Sequence, residues 1–595
     1  MKNPHRMTWL ALAALTLAAP AWAADDAAAR FHRIYEQEWA WRNGQAGINN
    51  AGEAQPSNAR LDDVDAASQQ RRLDKWKQTL AELDGVDPKQ LGAEDRVNYA
   101  VYRTQIQNML AGQQYKQWQM PFNSDSAFWS DLGYVLNADE LRTPQDYRRY
   151  LDRLGQVPAY FDQQIANMRD GLDRGFTVPR AVLDGRDASI VAVAQLKDAT
   201  QSSFYKPFEH ISSAVSAEDA ARMREEAKQT IAQKVIPAYA TLLKFFREEY
   251  VPRARTTLAA EAMPDGKAWY RQQIVEYTTL DLDPGAIHQV GLEQVAKIHA
   301  QMVKTMQESG FKGSFPEFLK FLRTDPQFHA KTPEELLMRS AWVAKQVDGQ
   351  LGKFFGHLPR QRFAIVPVAP DIAPYYTSGR GGASAYLVNT YDLPSRPLYN
   401  VAALTLHESA PGHSLQLALA AEQKGQPAFR REGYISAYGE GWGLYSEYLG
   451  NEMGIYQTPY DRFGYLTYQM WRACRLVVDT GIHHMGWTRQ QAIDYLTDNT
   501  ALSAREIANE VDRYISWPGQ ALSYELGYLK ILELRRKAEQ ALGTKFDIRH
   551  FHDTLLQIGS VPLPVLEQRI DRFIDEGGPA PDFGCDCAKK GDGKS

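Results

Sequence analysis

Two imidazoles and a carboxylate fall within seven residues in Leu404-Thr405-Leu406-His407-Glu408-Ser409-Ala410-Pro411-Gly412-His413, behind an apolar lead-in. A second stretch, Tyr438-Gly439-Glu440-Gly441-Trp442-Gly443-Leu444-Tyr445-Ser446-Glu447, follows about one helical hairpin later. Two histidines and a more distant glutamate form a donor set for catalytic zinc, which takes about three protein ligands and keeps one position open for water. Such an ion lowers the pKa of water toward 7, and a nearby carboxylate removes the proton as the water attacks a carbonyl. Zinc hydrolysis is therefore the chemistry these residue types can support, with one ion per chain.

The spacing departs from the usual pattern. In an H-E-x-x-H helix the histidines are four residues apart and share a face. His407 and His413 are six apart, which on an ideal helix turns them roughly 120° from each other. Pro411 cannot donate a hydrogen bond to the carbonyl of His407, and Gly412 tolerates unusual backbone angles. A widened turn could absorb the two extra residues and bring the imidazoles together. Otherwise the Pro-Gly pair ends one helix and starts another, with His413 near its beginning. Glu440 is the first choice for a third ligand. Glu447, seven residues on, shares its helix face and could orient one histidine from behind.

Helices dominate the chain around these segments. Leu73, Trp76, Leu80 and Leu83 fall at helical spacing, and Thr143-Pro144 reads as an N-cap with proline at the first helical position. Tyr147, Tyr150, Leu151 and Leu154 give the next apolar face. Asp283-Pro284 opens another helix, with Ile287, Val295, Ile298 and Met302 as its buried stripe. The texture then changes. Phe363 to Val368 is β-prone, with Pro367 favouring an edge position; Pro374 to Gly382 reads as a loop, and Ala383 to Thr390 as a second short strand. An edge strand there could bind an extended peptide by adding a strand to the sheet. Helices return over Asp461–Met485, Thr488–Asn499, Ser503–Ile515 and Gln520–Leu542. The expected fold is mainly α, with a deep central cleft and a small sheet just before the histidine helix. Residues 24–262 would form a helical scaffold and cleft wall, and residues 263–580 the catalytic half.

Composition sets further bounds. The 595 residues are 44% hydrophobic and 23% charged, ordinary for a globular protein. A net charge of -5 gives no basic footprint for nucleic acid. Residues 1–23 read as a signal peptide: Lys2 and Arg6, a short apolar run, then Ala21-Trp22-Ala23 as the cleavage site. A periplasmic or secreted protein is expected, with no membrane span after cleavage. No cysteine follows that site, so no lipid anchor is expected. Cys474 reads as a buried thiol, while Cys585 and Cys587 lie in a tail, 581–595, expected to be disordered.

Four motifs in order make the chain resemble the bacterial domain of unknown function 885 family. They are His407-Glu408-x-x-Pro411-Gly412-His413, Glu440 to Glu447, Arg475-Leu476-Val477-Val478-Asp479-Thr480-Gly481, and Trp517-Pro518-Gly519-Gln520-Ala521-Leu522-Ser523-Tyr524. The layout is also similar to that of helical zinc peptidases such as angiotensin-converting enzyme, thimet oligopeptidase and thermostable carboxypeptidases. That resemblance implies His407, His413 and Glu440 as ligands and Glu408 as general base. It implies a downstream oxyanion donor, for which Tyr524 fits best, His483 is the alternative and Tyr528 fits less well. Arg380, Arg475 and Lys530 are candidate anchors for a peptide carboxylate, or members of structural ion pairs. The expected activity is hydrolysis of short peptides. The alternatives are a non-catalytic periplasmic peptide-binding protein and a zinc hydrolase of a non-peptide amide or ester.

Overall fold

In the computed structural model, residues 26–44, 60–124, 126–136, 141–370 and 373–583 are described. The signal-peptide segment, Cys585 and Cys587 lie outside them. Nearly all regular structure is helical, as expected. The helices that build the cleft are labelled in chain order: α1 (Ala27–Gly44), α2 (Ala66–Asp84), α3 (Ala93–Gln114), α4 (Pro144–Arg174), α5 (Gly266–Thr278), α6 (Pro284–Glu308), α7 (Val401–Glu408), α8 (His413–Glu422), α9 (Ser436–Glu452), α10 (Pro459–His483), α11 (Ala504–Ser516) and α12 (Ser523–Leu542). No described helix is long and apolar enough to cross a membrane.

Local chemistry sets the boundaries. Thr143 caps α4 and exchanges hydrogen bonds with Asp146, with Pro144 at the first position, where a missing N–H costs nothing. Asp283 caps α6 by accepting from the Gly285 and Ala286 N–H groups, with Pro284 at the first position. The expected stripe Ile287, Val295, Ile298 and Met302 is buried, and it carries α6 along α10. Thr458 and Asp461 form a reciprocal cap on α10. This helix is buried almost all round, the pattern of a central core helix. A single apolar cluster runs from Phe31 to Phe573, so the N-terminal and C-terminal halves share one core.

The sheet has three strands in the order β1-β3-β2: β1 (Ala364–Pro367), β2 (Gly379–Gly381) and β3 (Ala385–Val388). β1 pairs parallel to β3, and β2 antiparallel. Pro367 lies on an edge strand, as expected. The stretch read as a loop contributes a strand instead: Gly379–Gly381 pairs with Tyr386 to Val388. Glycine is a weak strand former, which hid β2 in the sequence.

α9 and α12 approach without side chains between them. A Cβ on Gly441 would fall 2.7 Å from the Cα of Gly527, so glycine at both positions lets the backbones touch. This contact fixes how α12 presents its first turn to α9.

Candidate metal site and cleft

α7 ends at Glu408 and α8 begins at His413. Between them the Gly412 N–H reaches back six residues to the Leu406 carbonyl at 3.0 Å, and the Ser414 N–H reaches back five to Ser409 at 3.0 Å. The helix thus stops and restarts, and the break takes up the two extra residues. The Trp442 indole donates to the Pro411 carbonyl at 2.8 Å, fastening the break to α9. As a result the rings of His407 and His413 come together, with centroids 4.8 Å apart and nearly perpendicular.

The His407 ring lies flat against α9 at Gly443, where a Cβ would fall 2.6 Å from its Cε1. Glu440 and Glu447 stand on the same face, one on each side. His407 Nδ1 is 2.8 Å from Glu447 Oε1, which fixes the donor there and turns Nε2 toward Glu440. Glu440 Oε2 is 3.4 Å from Nε2 of both His407 and His413. Burial opposes charge on His407, but Glu440 and Glu447 outweigh it and raise the imidazole to about 10. Burial likewise acts to raise the Glu440 carboxyl, yet the two histidines hold it well below the ordinary range.

The donor set fits a zinc ion. Three ligand atoms, one from each residue, lie within 4.8 Å of one another. Ligands at 2.0–2.1 Å on a tetrahedral centre stand about 3.3 Å apart, close to the two 3.4 Å separations here. Glu447 behind His407 supplies the carboxylate–histidine arrangement that sets ring orientation.

Glu408, His407 and His413 line a cavity of about 1010 Å³. Glu408 Oε2 accepts from the Gly381 N–H at 2.7 Å, which ties the base candidate to the edge strand. Gly381 packs so closely that a Cβ would fall 1.9 Å from the Glu408 carbonyl oxygen. Its outward N–H shows that Gly379 and Gly381 face away from β3. Thr377 to Gly381 all line the cavity. α1, α2 and α3 also line this cavity, through Trp39, Trp76, Gln105 and Gln113.

Tyr524 also lines the cavity, its ring 6.3 Å from His407 and nearly parallel to it. Its hydroxyl accepts from Arg513 Nη2 at 3.2 Å. Asp479 on α10 accepts from the Tyr270 hydroxyl at 2.6 Å and from the Gly519 N–H at 3.1 Å, and burial raises its carboxyl to about 7. This anchors the Trp517-Pro518-Gly519 break, and α12 starts one turn later with Tyr524 facing His407.

Two candidate site residues, His483 and Lys530, are corrected, and Tyr528 fits the donor role no better than expected. His483 does not line the cavity: its Nδ1 accepts from the Ala260 N–H at 3.1 Å and its Nε2 faces the Tyr514 carbonyl at 2.8 Å, so it is a neutral core histidine. Lys530 lies outside the cavity and pairs with Glu533 and Glu567 at 3.0 and 3.5 Å. Tyr528 is buried away from the cavity among Tyr465 and Tyr448. Arg475 reaches the cavity wall but is engaged by Glu510 at 2.8 Å and sits 4.2 Å over the Tyr524 ring. Arg380 lines the cavity beside Tyr376. Cys474 is a buried free thiol, as expected.

Sequence reasoning missed Tyr434 and Glu276. Tyr434 lines the cavity, and its phenol lies against Gly439, next to Glu440. Glu276, on α5, comes from more than a hundred residues before the histidines, and neither residue belongs to a recognisable ligand pattern.

A mainly helical protein with a small sheet and a His-His-Glu cluster lining a large cavity is the class defined by fold and site. Residues 42–570 match the family described as bacterial protein of unknown function (DUF885), and the chain belongs to that family. No curated protein matches it. A solved structure described as a "putative lipoprotein" from Colwellia psychrerythraea is 26% identical, with a TM-score of 0.83 over 92% of this chain and 99% of that one. A second, of unknown function from Shewanella oneidensis and described in the same words, is 19% identical with a TM-score of 0.66, covering 91% and 99%; it shows the fold alone.

Proposed function

We propose that the protein is an exported zinc metallohydrolase that cleaves short peptides. The observation that carries this reading is the convergence of His407, His413 and Glu440 on the cavity at ligand spacing, with Glu447 orienting His407. Those three residues would hold the ion, which supplies polarisation of the scissile carbonyl and a more acidic water. Glu408, on the same cavity wall, takes the proton of the attacking water and passes it toward the leaving amine. The Tyr524 phenol donates to the carbonyl oxygen as negative charge develops there. The outward edge of β2, at Gly379 and at the Gly381 carbonyl, offers backbone partners to an extended peptide, beside the base that must act on it. Export is supported by the signal-like segment at residues 1–23 and by the lipoprotein description of the Colwellia psychrerythraea relative.

The test is a panel of free and blocked short peptides incubated with the zinc-loaded protein, with and without chelator, beside Glu408→Gln. Chelator-sensitive cleavage should fall by roughly 10²–10⁴ in the variant while zinc stays bound. Near-full activity in Glu408→Gln overturns the mechanism. Binding of peptides by the zinc-loaded wild type without turnover moves the reading to a peptide-binding protein.

A further inference from the structure

Four carboxylates line the cavity: Glu276, Glu408, Glu432 and Glu440. Glu440 faces two histidines, Glu408 accepts a backbone N–H, and Glu432 is also engaged. Glu276 differs. It is half-buried on α5, and its hydrogen-bond partner is the amide of Gln273, 3.3 Å from Oε2. Among the described residues no lysine or arginine pairs with it. The Gln273 bond lies within one helix, so a glutamine at position 276 would serve the fold as well, without the cost of holding an unpaired carboxylate away from water.

Aromatic residues line the same cavity. Tyr277, Trp517 and Trp118 line the cavity beside Glu276 and Gln117, and the Trp517 indole donates to the Tyr277 hydroxyl at 2.5 Å. A carboxylate in a cavity lined by aromatic residues is suited to an alkylammonium, which can gain both charge pairing and cation–π attraction. Burial pushes the Glu276 carboxyl up to about 7, as expected where a carboxylate lacks its counter-ion.

We propose that Glu276, with Tyr277 and Trp517, receives an ammonium group of the substrate, carried by a peptide's amino terminus or by a lysine side chain. The inference rests on the peptide reading above and names its specificity. Glu276 touches substrate at a distance from the reacting carbonyl, so it governs which peptides are held in the cleft.

The test uses the zinc-loaded full chain carrying Glu408→Gln, so that ligand is not consumed. It is titrated calorimetrically with tetra-alanine, N-acetyl-tetra-alanine, and the N-acetylated tetrapeptide ending in lysine. At least one ammonium-bearing peptide should bind about 10- to 100-fold more tightly than N-acetyl-tetra-alanine. Adding Glu276→Gln should collapse that preference to within about twofold and leave the affinity for N-acetyl-tetra-alanine unchanged. Which peptide carries the preference tells the amino terminus from a lysine side chain. Peptides that bind with no ammonium preference, or with one that survives Glu276→Gln, overturn this inference alone. If none of the peptides binds, the peptide reading falls and this inference falls with it.

Discussion

Removing Glu447 should loosen zinc without touching a ligand. Glu447 Oε1 is 2.8 Å from His407 Nδ1 and 3.3 Å from Arg472 Nη2, and all three residues are buried. In Glu447→Ala the His407 ring loses the acceptor that holds its Nε2 toward Glu440. The loss of an acceptor behind a ligand imidazole costs about 10- to 100-fold in metal affinity, or about 1.4–2.8 kcal/mol. The same change strands the Arg472 guanidinium, and breaking a buried pair from one side costs about 3–5 kcal/mol of stability. Glu447→Gln separates the two effects, because its amide oxygen can still accept from His407; it should stay folded and lose less affinity than alanine. Zinc affinity is measured by competition with a chromophoric chelator, beside thermal melts of each chain. A folded Glu447→Ala chain that binds zinc as tightly as wild type would refute the assignment of His407 as an oriented ligand.

Tyr524→Phe should lower kcat by about 10²–10³ with zinc content unchanged, since one oxyanion donor is lost; Tyr528→Phe, away from the cavity, should leave kcat near wild type. The opposite pattern in kinetics of the two variants would exchange their roles. His483 is held by burial at a pKa of about 3, so it stays neutral in the fold and takes a proton on unfolding below about pH 6.5. Its contribution to stability is therefore lost as the pH falls. Denaturant unfolding of wild type and His483→Gln should show their stability gap narrowing by about 2 kcal/mol between pH 7 and pH 5. The gap is the readout, because the raised carboxyls of Asp479 and Glu276 shift the whole-chain profile the other way. A gap independent of pH would mean that His483 is not held neutral.

Much of the helical framework was legible because capping chemistry is local. Thr143-Pro144 and Asp283-Pro284 start helices where they stand, and the Ile287 to Met302 stripe faces the core. The strand Gly379–Gly381 was not legible, since its pairing depends on β3 and not on its own composition. Within the site, local sequence placed Glu440 and Glu447 on one helix face, and the structure sets His407 between them. It could not decide between a widened turn and a helix break at Pro411, and hydrogen bonds reaching back five and six residues combine both. His483 and Lys530 were misplaced for one reason: α10 and α12 are polar or aromatic on several faces, and sequence does not say which face meets the cavity. Glu276 and Tyr434 reach it from other elements and carry no motif.

The most direct test is the metal content of the purified chain after zinc loading and dialysis, with Glu440→Ala alongside. The account predicts about one zinc per chain, lost in Glu440→Ala while the fold is kept. Absence of bound metal under every loading condition, or equal zinc in both proteins, would contradict it.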